Sequence, residues 1–147
     1  MLFGFLCLIY VRIIMKKILI FLSFLMIQTG AMAESWTSMA NDIVMQINSA
    51  EKLYIEGKSK EANREIIKAY FGTFEDKKME AAVRVTIGSK HAWKVERLFG
   101  KMRKLIKKSA SKEDVGAIAN KIRHAVVRDA KVLEEKKIPL EVFNPDK

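Results

Sequence analysis

The sequence has few of the residues that covalent cross-linking and catalysis use. Its single cysteine is Cys7, and its only two histidines are His91 and His124. No glycine-rich phosphate loop and no HExxH motif occurs, and the spacing of serine, histidine and aspartate suggests no hydrolase triad. These absences predict a protein that is not an enzyme and that relies on a hydrophobic core instead of disulfides.

The first 33 residues have the composition of a secretory signal. Residues 15–33 read MKKILIFLSFLMIQTGAMA, in which two lysines precede an apolar run and small residues stand at Ala31 and Ala33. We expect cleavage after Ala33 and translation from Met15, with residues 1–14 an upstream extension. The alternative is an uncleaved membrane anchor, because residues 2–27 are long enough to span a bilayer, although three basic residues interrupt them.

The rest of the chain, residues 34–147, is predicted to be one basic domain secreted across the inner membrane into the periplasm. The whole chain has 27 Lys+Arg, 17 Asp+Glu and a formal charge of +10. Because residues 1–33 carry three basic residues and no acidic one, residues 34–147 carry +7. Such a surface attracts acidic proteins and anionic lipid headgroups. Nucleic acid is not an expected partner of an exported protein.

Apolar residues of this domain recur at three- and four-residue steps, the period of an amphipathic helix. The first such stripe covers residues 36–54 and ends before Gly57, and the last covers residues 113–136. We expect Ser89 to cap the fourth helix and Ser111 to cap the last. We predict an all-α fold, an antiparallel bundle of four to five helices followed by an extended C-terminal tail. The predicted core residues are Trp36, Met39, Ala40, Ile43, Ile47, Ala50, Tyr54, Ala62, Ile66, Ala69, Tyr70, Phe74, Met79, Ala82, Val83, Ile87, Trp93, Phe99, Met102, Ile106, Val115, Ile118, Ile122, Ala125, Val126, Ala130 and Leu133.

A repeat architecture is the alternative to a bundle. Residues 53–62, LYIEGKSKEA, resemble the turn of a tetratricopeptide repeat. That family needs several copies at a period of about 34 residues. Only one such turn is visible, so we expect the bundle.

Three glutamates differ from the other charged residues because they adjoin the apolar stripes. Glu75 and Glu80 each follow a stripe residue directly, so we expect both to be buried or half-buried, and Glu96 lies among the aromatic residues of the fourth predicted helix. Carboxylates that project from adjacent helices of a bundle are a usual means of holding iron or similar cations. The simpler interpretation is ion pairing with neighbouring cations, namely Lys78, Arg84 or Arg103.

Two runs of basic residues form the second candidate site. Residues 101–108 read KMRKLIKK and residues 121–128 read KIRHAVVR. They predict either solvated helix faces or a surface for an acidic partner or an anionic membrane. The partner-binding candidates are Lys101, Arg103, Lys104, Lys107 and Lys108.

The stretch AYFGTFEDKKME, residues 69–80, begins a longer pattern of aromatic, acidic and basic residues. Its positions are Tyr70, Phe74-Glu75, Met79-Glu80, Val83, Lys90, Glu96, Phe99 and Met102-Arg103, preceded by the turn Tyr54, Gly57 and Glu61-Ala62. This pattern, over roughly residues 50–135, resembles the exported N-terminal helical domain of the bacterial oxidase-dependent iron permease family. The family's transport motif Arg-Glu-x-x-Glu is not matched, since residues 64–68 read REIIK, and Lys78 stands where the family commonly has glycine.

The resemblance implies a periplasmic accessory of iron uptake that binds iron or another divalent cation, or docks on a membrane iron permease. It implies Glu75, Glu80, Glu96 and His91 as metal ligands, whose oxygen and imidazole donors suit iron. No apolar run follows the signal, so we expect no transport by the chain itself. The alternative function is a structural or interaction module without metal, whose basic face binds an acidic partner or a membrane surface.

Overall fold

The computed structural model describes residues 34–143, and side chains as far as residue 141. The predicted signal, its cleavage site and the end of the tail lie outside these residues. Within them there is no strand, and the all-α prediction is confirmed. None of these helices combines the length and the hydropathy that a membrane span requires. The α-helices are α1 (Trp36–Ile55), α2 (Ser59–Ile67), α3 (Met79–Thr86), α4 (Ser89–Lys107) and α5 (Lys112–Glu135), and a π-helical segment (Lys68–Glu75) continues α2.

Helices α1 and α5 form an antiparallel pair. The Trp36 indole Nε1 donates a 2.7 Å hydrogen bond to the carbonyl oxygen of Ile138, and the Tyr54 hydroxyl donates to that of Ala110. The first bond joins the start of α1 to the end of α5, and the second joins the opposite ends. The predicted extended tail is wrong in part, because Ile138 packs on the core and Leu140–Phe143 forms a 3-10 turn.

The helix ends follow local turn chemistry. Gly57 has a φ of 81° and ends α1 as predicted, because glycine adopts left-handed backbone without steric cost. At the start of α5, the Ser111 hydroxyl accepts a 3.0 Å hydrogen bond from the backbone N–H of Asp114, the predicted cap. The predicted cap at Ser89 is wrong, because Ser89 is the first residue of α4 and Gly88, with a φ of 129°, precedes it.

The core agrees with the prediction except in α4 and at Tyr70 and Ile87, which are half-buried against it. All seven residues predicted from the first stripe are buried. Trp93, however, is 51% exposed, and the guanidinium of Arg97 lies 4.5 Å from its ring centroid. Ala92 and Val95 are buried in its place. The sequence spacing is compatible with two rotations of the start of α4, one that buries Trp93 and one that buries Ala92 and Val95. In the structure the second rotation is found, and the indole of Trp93 lies at the surface.

The connection between the π-helical segment and α3 contains a strained residue. Lys78 has a φ of 63° and a ψ of 11°, which is the left-handed region. The two segments are therefore separate helices. A residue with a Cβ pays about 1–2 kcal/mol in this conformation, whereas glycine pays almost nothing.

The substitution Lys78→Gly should accordingly raise the free energy of unfolding by up to about 1 kcal/mol, since greater freedom of the unfolded chain offsets part of the strain relief. Urea denaturation measures this change. Lys101→Gly, in the interior of α4, is the control and should lower the free energy of unfolding by about 1 kcal/mol. A loss of stability in Lys78→Gly similar to that in Lys101→Gly would contradict the strain argument.

Candidate functional site

Two of the predicted ligands, Glu80 on α3 and Glu96 on α4, converge on one guanidinium. The Nε and Nη2 atoms of Arg84 both donate to Glu80 Oε1, the Nε bond being 2.7 Å long. Arg84 Nη2 also donates to Glu96 Oε1 at 2.7 Å. The side chains of Glu80 and Glu96 are only 16% and 21% exposed. The interpretation of ion pairing with Arg84 is thus confirmed for Glu80, and Glu96 joins it from another helix.

Tyr70 and Glu75 complete this group. Burial raises the pKa of the Tyr70 hydroxyl, and the negative charges of Glu96, Glu75 and Glu80 raise it further, so all three glutamates act on this phenol. Glu75 itself is exposed, and the expectation that it is a buried or half-buried acid is wrong, because it ends the π-helical segment at the surface. We call Tyr70, Glu75, Glu80, Arg84 and Glu96 the carboxylate cluster.

Glu96 is the acid of this cluster whose ionisation is most hindered. Burial raises the pKa of its carboxyl, and a hydrogen bond and charge repulsion from Glu80 add to the rise. The positive charge of Arg84 acts in the opposite direction but does not cancel these effects. The free energy of the cluster would therefore fall if additional positive charge approached the two carboxylates.

Stacked aromatic rings support the carboxylate cluster from the core side. The ring centroids of Phe74 and Phe99 are 5.6 Å apart, and those of Tyr70 and Phe99 are 5.5 Å apart. A cleft of about 270 Å³ beside these rings is lined by Tyr70, Phe71 and Glu96, among others. The cluster thus has a rigid base and an opening to solvent.

His91, the fourth predicted ligand, does not join the cluster. Its Nε2 lies 2.8 Å and 3.0 Å from the carboxylate oxygens of Asp129 on α5. Asp129 is fully buried and also accepts from the Arg128 guanidinium at 3.0 Å and 3.1 Å. His91 therefore lines the cleft between α4 and α5, whereas Glu96 lines the cleft beside the π-helical segment.

Asp129 is the residue that sequence reasoning missed. It lies on the buried face of α5, one helical turn from Ala125 and from Leu133. The signal was present, since a lone acid on an apolar stripe must be paired when it is buried. Its partners were not predictable from spacing, because His91 lies on another helix.

The predicted partner-binding residues do not share one environment. Lys101, Lys104, Lys107 and Lys108 are exposed, and none of them makes an ion pair within the described part of the chain. Arg103 is half-buried, and its Nε donates a 3.1 Å hydrogen bond to Asn63 Oδ1 on α2. The available basic surface thus consists of the four lysines.

Within residues 34–141, no three histidine, aspartate or glutamate side chains are arranged to hold a metal ion as they stand. The carboxylate cluster has two converging carboxylates and a phenol, with the guanidinium of Arg84 between the two carboxylates. No protein-family model matches the chain, and no curated protein or solved structure shows detectable similarity to it.

Proposed function

We propose that this protein is a periplasmic accessory of iron uptake that takes up a hard cation at the carboxylate cluster and passes it to a membrane iron permease. The observation that carries the proposal is the convergence of Glu80 and Glu96, from two helices, on a single positive charge beside the phenol of Tyr70. Carboxylate and phenolate oxygens are donors that iron and manganese prefer. The family resemblance and the carboxylate cluster thus both indicate Glu80 and Glu96 as the candidate cation ligands.

In this proposal Arg84 stands where the cation would bind. Its side chain is 43% exposed, so it can turn toward water and release both carboxylates. A partly exposed ion pair of this kind contributes little to stability, so a cation can displace the guanidinium at low cost. Glu75 is exposed at the edge of the cluster and supplies a third carboxylate, while His91 remains bound to Asp129. The iron would be cargo and not a resident cofactor.

Removal of Arg84 tests this arrangement. Arg84→Gln should tighten binding of manganese(II) or ferrous iron by about fivefold or more, because the cation no longer competes with the guanidinium. Anaerobic calorimetric titration of the purified protein measures the change. The matched control is Arg64→Gln, which removes a comparable ion pair, with Glu61, on α2. Weaker cation binding in Arg84→Gln than in Arg64→Gln would contradict the proposal that the cation competes with the Arg84 guanidinium.

Four exposed lysines at the C-terminal end of α4, Lys101, Lys104, Lys107 and Lys108, favour a second candidate function, docking on an acidic partner or an anionic membrane. Co-sedimentation with phosphatidylglycerol vesicles tests it, with Lys101→Glu/Lys104→Glu as the variant. Loss of vesicle binding together with unchanged cation binding would support docking as a separate function. Equal sedimentation of the variant and the wild-type protein would exclude this surface.

A further inference from the structure

A second cleft, of about 670 Å³, lies between α4 and α5 and contains no residue of the carboxylate cluster. Both histidines of the chain, His91 and His124, line it, together with Lys94, Lys121 and Arg128. No acidic residue is among its lining residues. The cleft is thus basic on both of its walls, since α4 and α5 each contribute a lysine and a histidine.

The floor of this cleft is apolar. Val95 and Leu98 of α4 and Ala117 and Ala125 of α5 lie between the basic side chains. The two alanines leave room where larger side chains would fill the space between the helices. The volume falls within the range of about 300–1,000 Å³ typical of small-molecule sites. An apolar floor between charged walls suits a hydrocarbon or ring body with charged ends.

Buried Asp129 fixes two of the cleft residues in place. It accepts from His91 Nε2 and from the Arg128 guanidinium, and it is fully buried. Arg128 Nη2 also lies 3.1 Å from His91 Nε2, so His91, Arg128 and Asp129 form one contact group. A buried group that orients the residues lining a cleft is typical of a preorganised binding site.

The charges of the cleft are not balanced within the protein. Neither Lys94 nor Lys121 makes an ion pair within the described part of the chain, and the ion pair of Arg128 is with Asp129. Three cations therefore stand against one buried acid, which leaves an excess of two positive charges. The unbalanced charges are those of Lys94 on α4 and Lys121 on α5, because Asp129 balances Arg128. A ligand that neutralises both lysines must carry two negative groups, one for each wall of the cleft.

We infer that the cleft between α4 and α5 binds a small organic anion with carboxylate or phosphate groups at both ends of an apolar or ring-containing body. Lys94 and Lys121 contact the two ends from opposite walls, and the alanines of α5 contact the body. This site is independent of the cation site proposed above.

Titration of the purified protein with 2,6-naphthalenedicarboxylate tests the inference, because this dianion carries its carboxylates at opposite ends of a fused ring. Calorimetry gives the affinity, and the imidazole C–H resonances of His91 and His124 report the place of binding. We expect both resonances to shift. We also expect the affinity to fall about tenfold or more in Lys94→Gln/Lys121→Gln and with 2-naphthoate, which lacks the second carboxylate.

The matched control is Lys60→Gln/Lys136→Gln, which removes the same charge at two exposed lysines outside the cleft. Similar losses in the control and in the cleft variant would overturn the inference, since they would indicate binding to net charge. Absence of binding up to about 1 mM would also overturn it. So would tight binding of polyglutamate without binding of the dicarboxylate, which would indicate a protein-docking surface.

Discussion

Replacing Phe99 with alanine should lower the free energy of unfolding by about 4 kcal/mol. Phe99 is 1% exposed, stacks on Phe74 and packs against the tilted ring of Tyr70. The substitution removes the transfer free energy of a buried ring and leaves a cavity that the rigid helices cannot fill. It also removes the aromatic base of the carboxylate cluster, so Tyr70 loses its fixed position beside Glu96.

Urea denaturation followed by circular dichroism measures the change in stability. Phe71→Ala is the matched control, because Phe71 is 48% exposed and contacts Tyr70 only at the edge of the same group. The control should lose about 1 kcal/mol or less. Equal losses in the two variants would show that the stacked rings do not stabilise the fold.

The second large effect concerns the buried carboxylate of Asp129. His91→Ala should lower the free energy of unfolding by about 3 kcal/mol at neutral pH, because it leaves this buried carboxylate with Arg128 as its remaining side-chain partner. The bond joins α4 to α5, so its loss also loosens the contact between these helices. Asp129→Ala removes the buried charge itself, and His91→Ala added to that variant should cost less than about 1 kcal/mol.

A double-mutant cycle of His91→Ala and Asp129→Ala gives the coupling energy directly. His124→Ala is the control for loss of an imidazole, because His124 is exposed and lines the same cleft. Its effect should stay within about 0.5 kcal/mol. Additive losses at His91 and Asp129 would mean that their contact contributes nothing to stability.

The sequence predicted the fold wherever a helical stripe was long. The stripe of α1 extends over five turns, so one rotation of that helix buries the whole stripe, and all seven predicted core residues are buried. At the start of α4 the stripe is shorter and more ambiguous. Trp93 was predicted to lie in the stripe, but the three- and four-residue spacing of Ala92, Val95 and Phe99 determines the rotation of the helix.

The candidate site was predictable only where its contacts are local. Glu80 and Arg84 are four residues apart on one helix, and their pairing follows from helical spacing alone. Glu96 reaches Arg84 because of the way α3 and α4 pack. His91 contacts Asp129, away from the cluster, because of the way α4 and α5 pack. Such contacts depend on how neighbouring helices are rotated and shifted relative to one another. The spacing of apolar residues along the sequence does not specify this relative placement.

The measurement that tests the central claim most directly is anaerobic titration of the purified protein with ferrous iron, ferric iron, manganese(II) and copper(II). We predict a stoichiometric site for iron or manganese in the wild-type protein, and a loss of affinity of about tenfold or more in Glu80→Gln/Glu96→Gln. The control variant, Glu113→Gln/Glu135→Gln, removes the same charge at two exposed glutamates of α5 and should bind as the wild-type protein does. Absence of binding up to about 1 mM, or equal binding in both double variants, would contradict the assignment of the carboxylate cluster as a cation site.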